Sequence, residues 1–161
     1  MPWPLSEPGA PAPLLPQARV MPEPQWTWRI EHVIPSKTGA GQRVMRDVMD
    51  ELRRQAWQPH DIFSIQLAME EALINAIKHG NRLDASKRVL VRCALSPALL
   101  RVEIADEGQG FDPAAIPDPT DAAHLESPCG RGIMLMRNFM SRVEYVDSGR
   151  RVILERDRTP P

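Results

Sequence analysis

The chain has 161 residues and a net charge of −1, with 20 Lys and Arg against 21 Asp and Glu. That length holds one domain with a sizeable core plus a tail, and the balanced charge gives no electrostatic case for nucleic acid or an anionic membrane. Cys93 and Cys129 lack metal-site spacing and the density of a disulfide scaffold, the four histidines are isolated, and no apolar run approaches a membrane span.

Residues 1–25 hold eight of the 17 prolines and almost no charge. Proline removes donors and disfavours helix and sheet, so this stretch reads as a disordered tail, either a docking segment or a mere extension. It has no basic leader and no long apolar run, so the expectation is a soluble, cytoplasmic protein. The domain is expected over residues 26–157, with 158–161 frayed.

From Trp26 to Ile34, β-rich residues alternate up to Pro35, which predicts a first strand. Gly41 to Ala56 repeats apolar residues at Val44, Val48 and Leu52, an amphipathic helix with Arg43, Arg46, Arg53 and Arg54 on its solvated face. A second helix is expected from about Ile62 to Lys78, with Asp61 as N-cap and Gly80 as a left-handed C-terminal residue. At about 100° per residue, Glu71, Asn75 and Lys78 lie within roughly 60° of one another on its surface. A carboxylate, an amide and an ammonium in line suit a nucleotide-magnesium site: magnesium takes hard oxygens, a carboxylate accepts a proton, and a lysine holds phosphate charge. On this helix alone, a solvated polar stripe is the commoner arrangement.

Lys87 to Leu95 and Leu99 to Asp106 alternate around Ser96-Pro97-Ala98, predicting a hairpin. Asp106 shares the parity of Val102 and Ile104, so its carboxylate should face inward and need a donor, from a ligand amine or from a turn. In Asp106-Glu107-Gly108-Gln109-Gly110-Phe111, two glycines let the backbone approach a flat ligand. The spacing is not a dinucleotide fingerprint, and no P-loop occurs anywhere. Residues 112–129 form a proline-laden loop of a length that is usually functional, often a lid. Gly130-Arg131-Gly132 then precedes a short helix over Ile133 to Met140, where glycines ahead of free N–H groups form an anion site. A second hairpin turns at Asp147-Ser148-Gly149-Arg150.

Three motifs stand in order: Glu-x-x-x-Asn with Lys78 on a helix, Asp-Glu-Gly-Gln-Gly-Phe after a strand, and Gly-Arg-Gly before a helix. That order resembles the N, G1 and G2 boxes of the GHKL ATPase superfamily. More narrowly, E-E-A-L-I-N-A-I-K-H-G-N, D-E-G-Q-G-F-D-P and C-G-R-G-I-M-L-M-R-N-F-M are similar to the bacterial anti-sigma-factor serine/threonine kinases.

The resemblance covers residues 26–157. It implies an α+β fold, a two-layer α/β sandwich of the Bergerat type whose mixed, mostly antiparallel sheet carries helices on one face. It implies ATP and Mg2+ as cofactors, Glu71 as catalytic base and Asn75 as magnesium ligand. Lys78 and the neighbouring His79 would meet the nucleotide, and Asp106 would accept the adenine amino group. Gly108 and Gly110 would shape the adenine pocket, and Gly130, Arg131 and Gly132 would line the triphosphate.

The implied activity is phosphorylation of an anti-anti-sigma protein of the STAS type, alternating with sequestration of a sigma factor. The resemblance leaves open a homodimer, an ATP-binding module without phosphotransfer, and a stand-alone histidine-kinase-like ATPase domain. Without a nucleotide, the glycines would be turns and the polar stripe solvated. Cys129, just before the G2 glycines, reads as an inert small residue or as a redox-sensitive thiol.

Overall fold

The computed structural model describes residues 22–115 and 128–161, with backbone only at 128 and 129. The N-terminal tail through residue 21, most of the lid and the Cys129 side chain lie outside the described residues.

Alternating residues build the sheet. Strands β1 (Trp28–Pro35), β2 (Arg88–Leu95), β3 (Leu99–Asp106), β4 (Arg142–Val146) and β5 (Arg151–Asp157) lie in the order β1-β2-β3-β5-β4. Every described pairing is antiparallel, as the expected mostly antiparallel sheet requires. The physical reason is the connectivity: both hairpins turn tightly, and β3 meets β5 without a parallel crossover.

Register sets one face inward. Val91 pairs with Ile104, Cys93 with Val102 and Leu95 with Leu100, while Val102 pairs with Leu154 and Ile104 with Val152. All of these are buried in one core. Burial pushes the Cys93 thiol up to about 12, leaving it an inert apolar residue. The opposite face carries cross-strand ion pairs, such as Arg92 with Glu31 and Glu155 with both Arg101 and Arg142.

Helices cover the inward face. Helix α1 (Gln42–Arg54) buries Val44, Val48, Met49 and Leu52, its i, i+4 stripe, and leaves the arginines named above exposed. Helix α2 (Pro59–Ile74) buries Ile65, Ala68, Met69, Ala72 and Leu73. Each large apolar side chain buried in this way contributes about 1.5–3 kcal/mol. Helix α3 (Pro128–Phe139) packs against α2 and adds Ile133 and Met136 to the core.

Three local expectations are corrected. Asp61 is not the N-cap of α2: Gln58 takes that place, with Pro59 pre-organised in the first turn. Asp61 is instead fully buried, accepting from Arg156 and Thr159. Gly80 has no left-handed φ, because α2 widens into a π-helical turn over Asn75–Gly80, and the left-handed residues come later, at Arg82 and Leu83. Finally, the C-terminal residues are tied down. Arg158 donates to the carbonyls of Gln55 and Ala56 at 2.8 and 2.9 Å, and the Thr159 amide donates to Asp61.

Candidate functional site

A cavity of about 400 Å³ opens between α2, its π turn, the start of α3 and the β4–β5 hairpin. That is within the range of small-ligand sites. Asn75, His79, Asp106, Gly110 and Gly130 all line it. Residues separated by more than fifty positions thus meet in one place.

The π turn decides what the end of the central helix presents. Turns of this kind are rare and recur at functional sites. Asn75 and His79 both reach the cavity, whereas Lys78 is exposed and lies off its wall. The Asn75 side-chain oxygen is buried and has no hydrogen-bond partner. A buried carbonyl oxygen left unmade costs about 1–3 kcal/mol, so this acceptor is unsatisfied by the protein itself.

Asp106 ends β3 on the inward parity, paired with the buried Val89. Its backbone N–H donates to the Arg150 carbonyl at 2.8 Å, and its Oδ1 accepts from the Gly108 N–H at 2.8 Å. Burial holds its carboxyl above the usual range, opposed by the Gly108 bond and by the charges of Arg150 and Lys87. Glycines make this corner possible. A β-carbon on Gly80 would overlap the Asp106 carboxylate, and one on Gly108 would overlap the Gly80 carbonyl. Gly110 has φ +76° and lies against the Ser148 carbonyl.

Gly130-Arg131-Gly132 does not precede α3 but lies within its first turns, since the helix begins at Pro128. Proline is pre-organised for the first helical position. Gly130 lines the cavity, while Gly132 is buried with its α-carbon facing the Glu71 carboxylate. Glu71, Lys78, Gly108, Arg131 and Gly132 are not among the residues that line it.

Sequence reasoning gave no role to several lining residues. Phe111 and Tyr145 meet edge to face at 5.1 Å between centroids, forming an aromatic wall suited to a flat base. Arg82 and Arg150 add two guanidinium groups. Phe111 could have been found as the aromatic after the second glycine. Tyr145 and Arg150 could not, because only the β3–β5 pairing brings their hairpin here.

Residues 34–156 match the family model of the histidine kinase-like ATPase domain. The chain belongs to this family. Membership in the histidine kinase-like ATPase family implies a site for ATP.

The anti-sigma F factors of Bacillus thuringiensis (strain Al Hakam) and Bacillus mycoides (strain KBAB4) are each 34% identical to it over 91 residues. These matches cover 55% of this chain and 62% of each relative. The crystal structure of the RsbU and RsbW domains of Rv1364c from Mycobacterium tuberculosis shares the fold, with a TM-score of 0.58 at 18% identity. It covers 83% of this ATPase domain's chain and 34% of its own.

Among the described residues, no group of three or more His, Cys, Asp or Glu could hold a metal. A magnesium ion would therefore need the nucleotide's phosphates as ligands beside the unpartnered Asn75 oxygen, a donor set that fits it. Among the described residues, no helix is long and apolar enough to cross a membrane.

Proposed function

We propose that this domain is an ATP-dependent serine/threonine kinase and anti-sigma factor. It phosphorylates an anti-anti-sigma protein of the STAS type and, in an alternative complex, sequesters a sigma factor. One observation carries the reading: Asn75, whose side-chain oxygen is buried and unpartnered, and Asp106 line the same cavity. An ATP recognised at its base and at its metal-bound tail needs both groups in one site.

In this reading Asp106 accepts the adenine amino group, and Phe111 with Tyr145 walls the base. Gly80, Gly108 and Gly110 keep side chains out of the corner. Asn75, beside phosphates and water, would hold the magnesium ion, which neutralises charge on the phosphates. His79, Gly130, Arg131 and Gly132 form the phosphate side, with the first turn of α3 offering N–H groups to anions. Lys78 adds a mobile positive charge from outside the wall. Glu71 accepts the proton of the substrate hydroxyl as its oxygen attacks the γ-phosphorus and the β–γ bridging oxygen leaves with ADP. The Glu71 carboxylate lies directly against Gly132.

The anti-sigma F factors support the partner assignment through their name and 34% identity. The test is to incubate the full chain with Mg-ATP and a STAS-type anti-anti-sigma protein from the same genome, and to search that protein for phosphoserine or phosphothreonine by mass spectrometry. Transfer by wild type, lost in Glu71→Gln with ATP affinity retained, is the expected result. ATP binding without any transfer would reduce the domain to a binding module, and no binding at all would sink the reading.

A further inference from the structure

Asn81 is fully buried, immediately after the π turn, and does not line the cavity. Both ends of its amide are used. Its Nδ2 donates to Ser36 Oγ at 2.6 Å and to the Arg88 carbonyl at 2.8 Å, and its Oδ1 accepts from the Glu107 N–H at 2.8 Å. Ser36 in turn donates to the Lys87 carbonyl at 3.0 Å. One side chain therefore ties together the exit of β1, the end of the central helix, the entry of β2 and the exit of β3.

The bond to Glu107 matters most, because Glu107 sits between Asp106 and Gly108. The Asp106 side chain is held in the same corner by the Gly108 N–H, and Gly80, next to Asn81, closes over it. Glu107 is fixed a second time, its carboxylate accepting from the Arg88 N–H at 2.5 Å. Arg82 and Leu83, the next two residues, take left-handed φ values of 54° and 58° without being glycine. Such backbone persists only where its surroundings over-determine it, and here the Leu83 N–H donates to the Ile77 carbonyl and the Asp84 N–H to the Asn81 carbonyl, both at 3.0 Å.

We infer that Asn81 is a positioning residue for base recognition: it fixes the Asp106–Gly108 turn in its binding geometry before any nucleotide arrives. This rests on the reading of the cavity as an adenine-nucleotide site. A buried amide with both donors and its oxygen engaged holds that turn in place, and a rigid acceptor discriminates between a donor and its absence more sharply than a mobile one.

The test compares ATP with inosine triphosphate, which lacks the exocyclic amino group, by calorimetry on the full chain. Asn81→Ala should lower the ATP preference by about tenfold while leaving inosine triphosphate affinity nearly unchanged. Asn81→Asp keeps the acceptor for the Glu107 N–H, so the preference should return even though the protein is less stable. Ser36→Ala removes one donor bond at the far end, but the bonds to the Arg88 carbonyl and the Glu107 N–H still fix the amide, so it should keep the preference. A parallel loss for both nucleotides in Asn81→Ala would mean a merely structural residue and overturn the inference.

A second measurement needs no variant. The Glu107 amide of the nucleotide-free wild type should be strongly protected from hydrogen exchange, and exchange at the rate of an exposed loop would also overturn it. Failure of wild type to bind either nucleotide would instead sink the underlying reading of the cavity.

Discussion

The carboxylate of Glu71 occupies the space that a side chain on Gly132 would need, so the only residue type that fits at 132 with Glu71 in this place is glycine. The overlapping atoms run from Cγ to Oε1 of one flexible side chain, which can swing aside as a whole. Gly132→Ala should therefore leave the melting temperature unchanged or slightly higher, since alanine is the better helix former by about 1 kcal/mol. Phosphotransfer should nonetheless fall by about a hundredfold, the usual contribution of a positioned general base. Thermal unfolding and a phosphorylation assay check the two halves, and wild-type turnover in this variant would remove Glu71 from the mechanism.

Gly108 offers the opposite case. Its neighbour is the Gly80 carbonyl, which is backbone and cannot move without carrying the π turn with it. Gly108→Ala is expected to cost about 1–3 kcal/mol of stability, as overpacking does. It should also abolish stabilisation by ATP, because the displaced turn carries Asp106. Chemical denaturation with and without nucleotide measures both effects. A variant of normal stability and normal ATP response would show that this corner is not built around its glycines.

The strands and their faces were legible in the sequence because a half-buried antiparallel sheet writes a period of two. Asp106 was placed inward on parity alone, and the register with Val89 bears that placement out. The end of α2 was not legible. A π turn has no composition of its own, and an ideal helical wheel carried through Lys78 puts that residue beside Asn75, where the structure has it exposed and His79 on the cavity wall. The Asp61 cluster was hidden for another reason. Its partners Arg156 and Thr159 lie more than 90 positions away, and a local reading sees only an acidic residue near a helix start. Tyr145 and Arg150 belong to the same class, residues whose role exists only after the strands are ordered.

Asn75 carries a cost in the absence of ligand, since its buried oxygen has no partner. Asn75→Ala removes that oxygen, so the nucleotide-free protein should be as stable as wild type or more so. The response to ligand should move the other way. At a Mg-ATP concentration 100 times the dissociation constant, wild type gains about 2.7 kcal/mol, and the variant should gain almost nothing. Thermal shifts with Mg-ATP, and with ATP plus a chelator, separate metal-dependent from metal-independent binding. An unchanged Mg-ATP shift in Asn75→Ala would remove this residue from the site.

Asp61 makes the acid stability of the fold depend on a pair far from the cavity. Burial works to raise its carboxyl, but the Thr159 N–H and the Arg156 guanidinium outweigh burial and hold it below the usual carboxylate range. A carboxyl lowered on folding stabilises the native state above its unfolded pKa, and that contribution is lost as pH falls through the folded value. Arg156→Met strips the guanidinium and leaves a buried carboxylate held by Thr159, with the His60 ring 3.3 Å away. At pH 7 the variant should lose about 3–5 kcal/mol, the cost of breaking a buried pair from one side. Toward pH 3 its deficit relative to wild type should narrow, because protonation removes the uncompensated charge while wild type loses its own advantage. Urea unfolding at the two pH values measures this directly. A deficit that stays constant across the range would mean that Arg156 acts through packing and not through the charge of Asp61.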